Sequence, residues 1–156
     1  MRRKGNMDIA SYITGFVEGK GCFRVSFNLR NKLKTGIEVK PSFSLSQHQR
    51  NIKALEVVQS YFRCGGIRYS SKDRSYKYEV CRISDLQKII IPHFKKYRLV
   101  SSRANDFDKF VMICDMVAKN YHRNNHYLVE IIELAYDINH DREKINKEKL
   151  LKHLAR

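Results

Sequence analysis

The chain has 156 residues, with 31 Lys and Arg against 16 Asp and Glu and a formal charge of +15. A chain of this length makes one domain, here 1–156, and so large a cationic excess is costly on a compact body unless a polyanion uses it, which points to nucleic acid or an anionic surface. No apolar run approaches the ~18 residues that cross a bilayer, and the start MRRKGNMDIA lacks a signal peptide's apolar segment, so neither membrane insertion nor secretion is expected.

Residues Met1 to Asn6 read as a basic arm. Asp8 or Ser11 then caps a helix with Ile9, Ile13, Phe16 and Val17 on its apolar face. This helix carries Gly15 and Gly19, each costing about 1 kcal/mol against alanine in a helix interior. A small-xxx-small face offsets that cost when another helix approaches closely. A glycine C-cap at Gly19 or Gly21 is the plainer reading.

From Phe23 the period changes to two. Phe23, Val25, Phe27 and Leu29 alternate with Arg24, Ser26, Asn28 and Arg30, so the strand has one apolar and one basic face. The loop Asn31 to Gly36 turns the chain back. Ile37, Val39, Phe43 and Leu45 then face inward, with Glu38, Lys40, Ser42, Ser44 and Ser46 outward. A two-stranded ribbon fits the DNA major groove, where long basic and short polar side chains meet base edges and phosphates. An ordinary solvated face would also alternate; the charge tips the balance toward DNA.

Gln47 to Phe62 reads as a helix ended by Gly65-Gly66. A second hairpin follows, Ile67 to Ser70 and Tyr76 to Ile83, with Arg68, Ser70, Lys77 and Glu79 continuing the polar face. Ser84 or Asp85 caps a third helix, which Pro92 bends. Ser102 to about Asn120 is a longer helix, burying Phe107, Phe110, Val111, Ile113 and Cys114, and Asn124 to Tyr136 and Glu143 to Leu154 are two more. The order predicts an α+β fold (α-β-β-α-β-β-α), with a four-stranded antiparallel sheet backed by helices. Cys22, Cys64, Cys81 and Cys114 form no CxxC pair and read as reduced, mostly buried thiols in an intracellular reducing compartment, an organelle or a bacterial or archaeal cytoplasm. His122 and His126 have helical spacing but no third ligand, a weak metal signal.

The stretch Ile13-Thr14-Gly15-Phe16-Val17-Glu18-Gly19-Lys20-Gly21, running into Cys22-Phe23, resembles the motif of the LAGLIDADG homing endonuclease family. Gln47, Pro92-His93-Phe94 and Arg103-Ala104-Asn105-Asp106-Phe107 are further echoes, and the resemblance covers nearly the whole chain. It implies an intron-encoded nuclease in which two motif helices pack at a two-fold axis through Tyr12, Gly15, Phe16 and Gly19. It further implies sheets that form a saddle over double-stranded DNA, and acids at the helix ends that hold Mg²⁺ at the scissile phosphates. With one motif and no internal repeat, a homodimer on a roughly palindromic site is expected.

At the eighth motif position, where the family has its metal-binding acid beside the Gly19 backbone, stands Lys20. An ammonium cannot ligate a cation, and Glu18 lies about 200° away around the helix. Cleavage is therefore expected to be weak or absent while DNA binding survives. The resemblance implies a solvent-ordering role for Gln47, a phosphate-facing Arg50, and a basic residue beside the scissile phosphate, Arg103 ahead of Lys96 and Arg98. Arg24, Ser26, Asn28, Arg30, Lys32, Glu38, Lys40, Ser42, Ser44, Arg68, Ser70 and Lys77 are the expected DNA contacts. A non-cleaving regulator or an RNA-splicing maturase on the same fold is the alternative.

Overall fold

The computed structural model describes residues 8–139 and 145–156. Helix α1 (Ile9–Lys20) runs directly into strand β1 (Gly21–Leu29), which turns back as β2 (Ile37–His48). A 3₁₀ turn at Gln49–Asn51 leads into α2 (Ile52–Phe62), and β3 (Gly66–Ser70) and β4 (Ser75–Val80) form the second hairpin. The short α3 (Ile83–Asp85), a π-helical stretch at Leu86–Ile90 and α4 (Ile91–Lys96) run on as one helix. Then come α5 (Arg103–Ala118), α6 (Asn125–Asn139) and α7 (Lys147–Leu154). The expected arm Met1 to Asn6 and the expected helix start at Glu143 lie outside the described residues.

The strands form one antiparallel sheet in the order β1-β2-β4-β3. Pro41 lacks an N–H yet sits inside β2. It is tolerated because β4 pairs with β2 only from Phe43 onward, so at Pro41 β2 has β1 alone as neighbour. The turn between β1 and β2 closes by Gly36 N–H to Leu33 O (2.9 Å), with Gly36 at φ 73°, a backbone region that glycine enters without strain.

The alternation in β1 does what its period predicts. Val25 is fully buried, Phe27 nearly so, and Phe23 anchors an aromatic cluster with Phe43, Phe94, Phe107 and Phe110 at centroid distances of 5.2–5.5 Å. Such pairs add about 0.5–1.5 kcal/mol each beyond their buried area. These rings join β1, β2, α4 and α5, so they fix the sheet against its helical layer. Leu29 departs from expectation: at the far end of β1 it is 39% exposed.

Several placements along the chain also depart from expectation. Gln47 and His48 belong to β2, because the β4 ladder extends to Tyr76 and Ser75 and holds them extended. Helix α2 ends on Arg63 in the left-handed region (φ 56°), not on Gly65-Gly66. Ser84 and Asp85 do not cap the third helix, which starts after Arg82 and encloses both. At Pro92, whose ring would clash with the carbonyl four residues back, the chain widens into a π-turn, with Ile91 N–H donating to Leu86 O. Gly21 is the C-cap of α1, one of the two glycines expected there, in an extended conformation (φ −72°) with its N–H donating to Val17 O. A Cβ there would sit 2.9 Å from Val17 O, so its glycine serves close packing.

Candidate nucleic-acid interface and the end of the motif helix

The register gathers the expected DNA contacts on one surface. Pairing Arg24 with Ser42, Ser26 with Lys40 and Asn28 with Glu38 puts the polar residues of β1 and β2 on the face opposite the Phe23 cluster. Pairing Ser44 with Glu79, Ser46 with Lys77, Arg68 with Lys77 and Ser70 with Ser75 continues that face across β4 and β3. Arg30 joins it through its ion pair with Glu38, and Lys32 stands exposed in the turn that follows. Ser42 and Ser44 need correcting, since they do not stand out into solvent: at 6% and 7% exposed they form the floor of the face, overtopped by longer neighbours. Arg24, Ser26, Asn28, Lys40, Arg68 and Glu79 surround Ser42 in a shallow concavity.

Two carboxylates sit among these cations. Glu38 Oε2 accepts from Asn28 Nδ2 at 3.1 Å and pairs with Arg30 Nε at 3.0 Å. Glu79 Oε1 pairs with Arg68 Nη2 at 3.3 Å, and its Oε2 with Lys77 Nζ at 3.1 Å. Burial alone would raise the Glu79 carboxyl, but the hydrogen bond and charge of Lys77, with help from Cys81 and Arg68, outweigh it and hold the group below its ordinary value. Among the predicted contacts Glu38 was legible and Glu79's coupling was not, because Arg68 reaches it only across the β3–β4 register.

At the end of α1 the residues converge differently. Lys20 is the last residue of the helix and is exposed. The Glu18 carboxylate turns the other way and accepts the backbone N–H groups of Val100 and Ser101, the latter at 3.3 Å to Oε1. The Ser101 hydrogen bond, joined by Val100 and the charge of Arg103, outweighs burial and lowers its pKa. Arg103 was expected to face phosphate. Its Nε donates to Glu18 O at 2.8 Å and its Nη1 to Gly21 O, so it clasps the helix-to-strand junction. Gln47 shares the parity of Phe43 and Leu45, on the helical side of the sheet, and accepts from Asn51 Nδ2 at 3.5 Å. Arg50 is exposed in the 3₁₀ turn, its N–H bonded to His48 Nδ1 at 3.3 Å. Of the weaker candidates, Arg98 pairs with Asp108 at 3.6 Å and Lys96 lies 5.5 Å from the Tyr97 ring centre.

These groups do not fit a divalent cation. The only side chain at the eighth motif position is an ammonium, the nearby Glu18 carboxylate is engaged by two amides, and the Glu18 and Gly21 carbonyls flanking Gly19 are taken by a guanidinium. Among the described residues no group of three or more His, Cys, Asp or Glu could hold a metal ion. The four cysteines are free; Cys114 is buried and the other three half-buried, less covered than expected.

The two faces of α1 are unlike. Ile13 and Val17 are fully buried against their own chain. Between them Thr14 Oγ1 donates to Tyr97 O (3.0 Å) and lies 3.1 Å from His93 Nε2, while Tyr61 OH meets His93 Nδ1 at 2.9 Å. Because the Thr14 proton goes to Tyr97 O, Nε2 carries the imidazole proton and Nδ1 accepts from Tyr61. Burial pushes the His93 pKa down to about 4, so this neutral tautomer is the form at neutral pH. On the other face Gly15 and Gly19 are exposed, and a Cβ at either would meet nothing within 4 Å. Tyr12, 38% exposed, stacks on the half-buried Phe16 at 6.1 Å beside them.

The family described as LAGLIDADG endonuclease matches residues 13–114, most of the motif helix, sheet and α5, and the chain belongs to that family. Its four-stranded sheet backed by helices is the fold of the LAGLIDADG homing endonucleases. Over 94% of its length the chain is similar to the homing endonuclease I-TnaI, at 32% identity and a TM-score of 0.82, covering 95% of that chain. The meganuclease I-SmaMI, solved bound to uncleaveable DNA, is similar over 88% of this chain and 46% of its own, at 30% identity and a TM-score of 0.83. Among curated proteins, the probable intron-encoded endonuclease 2 of Neurospora crassa is 34% identical over 141 residues, 88% of this chain and 31% of that protein. The chain spans about a quarter to a third of the length of the first such relatives.

Proposed function

We propose that this chain binds a long, near-palindromic double-stranded DNA site as one half of a two-fold assembly, a homodimer seamed along α1, and that Lys20 leaves hydrolysis of the bound strands weak or absent. The observation that carries this reading is the register, which collects the basic and polar positions of four strands on one sheet face while the alternate positions of β1, β2 and β4 line the core side. A relative solved on DNA supports the partner, and the open face at Gly15 and Gly19 supports the seam. Mg²⁺, the family's expected ion, is disfavoured by two cations and an engaged carboxylate at the helix end. The four free cysteines suit work in a reducing compartment inside the cell, and no helix among the described residues is long and apolar enough to cross a membrane.

Selection from a randomised duplex pool, followed by incubation of the enriched duplex with Mg²⁺, is the test. The expected outcome is a two-fold symmetric consensus bound without double-strand cleavage. No enrichment over scrambled duplex would overturn the DNA reading, and efficient cutting would overturn the role given to Lys20. An RNA-splicing maturase is the second reading, favoured by Lys20 because RNA binding needs the basic face and no metal acid. It predicts tighter binding to a structured intron RNA than to any duplex.

A further inference from the structure

Glu38 and Glu79 are anomalous on a surface read as a site for a polyanion. Each places a negative charge where phosphates approach, and an exposed ion pair returns only ~0.2–1 kcal/mol. Side-chain exposure is 31% for Glu38 and 19% for Glu79, against 62% for Arg30 and 68% for Arg68, so the carboxylates lie low and the guanidiniums rise above them. Each acid also holds two donors of different reach: Glu38 the Asn28 amide and Arg30, Glu79 the arginine of the neighbouring strand and the lysine two residues back on its own. Both oxygens of Glu79 are engaged, which argues against its reading a cytosine amino group itself.

We infer that Glu38 and Glu79 are positioning residues for sequence discrimination: each fixes the direction of its pair of donors, so that Arg30, Asn28, Arg68 and Lys77 meet base edges in one geometry. This rests on the reading of the sheet face as a duplex-DNA site. An arginine or asparagine free to swing finds a phosphate as readily as a base and contributes affinity without sequence information. A held one has lost that freedom before binding, and the preference for one base edge survives.

The two possible roles differ in what they do to the ratio of affinities. If the carboxylates were only misplaced charge, Glu38→Gln and Glu79→Gln would tighten binding to every duplex alike. If they position, each substitution releases its cations to phosphate: affinity for scrambled duplex rises up to a few-fold, and the salt dependence steepens by up to about one phosphate's worth. The ratio of affinities, enriched over scrambled duplex, meanwhile falls about tenfold. Titrations of both variants against both duplexes at several salt concentrations decide between them, with melting temperatures as a check on folding. The two acids sit on different strands, so either variant carries the test if the other does not fold. Adding Glu79→Gln to Arg68→Ala and Lys77→Ala should change the ratio no further. An unchanged ratio in the single variants overturns the inference while leaving the DNA site standing. A wild-type protein that does not distinguish the duplexes at all overturns both.

Discussion

The two faces of α1 place opposite demands on one twelve-residue helix. The inner face is specified completely within the chain: Ile13 and Val17 have no exposed surface, and the Thr14 hydroxyl belongs to a closed hydrogen-bond chain through His93, Tyr97 and Tyr61. On the outer face Gly15 and Gly19 border open space, and these two glycines weaken the helix that carries them. A helix is maintained against that cost when a second surface uses the open side. Stability and assembly should therefore be separable by substitutions only one or two residues apart.

The largest effect on folding belongs to the inner face. Ile13→Ala should destabilise by about 2–5 kcal/mol through lost burial and an unfilled cavity, read as a lower midpoint of urea unfolding. Thr14→Val keeps the shape but strands the His93 Nε2–H and the Tyr97 carbonyl, and should cost about 1–3 kcal/mol by the same measurement. The same network predicts a pH dependence. The His93 pKa is depressed to about 4 in the folded chain and returns to 6.5 on unfolding, so below 6.5 the unfolded state takes up a proton that the folded state refuses. Its contribution to stability is whole above pH 6.5 and declines as pH falls from 6.5 towards about 4. His93→Asn should flatten that part of the profile of unfolding midpoint against pH.

The outer face should behave inversely, with a smaller effect on folding. Gly15→Ala and Gly19→Ala meet open space, so a lone chain should gain up to ~1 kcal/mol of helix stability each. Sedimentation equilibrium should show the self-association constant weakened in the same variants, and abolished by Gly19→Leu. If Gly19→Leu self-associates like the wild type, the two faces are not divided as described and the seam lies elsewhere.

Sequence reading reaches the parts of this molecule that local periodicity encodes. The alternation from Phe23 to Arg30 and from Ile37 to Ser46 specifies both faces of the hairpin, and the motif locates α1 and its glycines. What it misses depends on partners distant in the chain. Gln47 looks like a helix start until β4 pairs with it. Arg103 looks like a phosphate ligand until the fold brings the Glu18 and Gly21 carbonyls, more than eighty residues back, to its guanidinium. Glu18, by helix geometry, could be excluded as a substitute metal ligand, but its actual use, tying the start of α5 to the motif, needed Val100 and Ser101 to arrive. Ser42 and Ser44 keep the expected parity, yet parity carries no information on how far long neighbours overtop short side chains.

Lys20 is proposed to divide a complete binding surface from an incomplete hydrolytic end. A single paired assay tests this division: wild type and Lys20→Glu, each saturating the same enriched duplex in Mg²⁺, followed for double-strand breaks. Bound but uncut DNA is expected with the wild type, and cleavage with Lys20→Glu. Efficient cutting by the wild type, unchanged or reduced in Lys20→Glu, would contradict it.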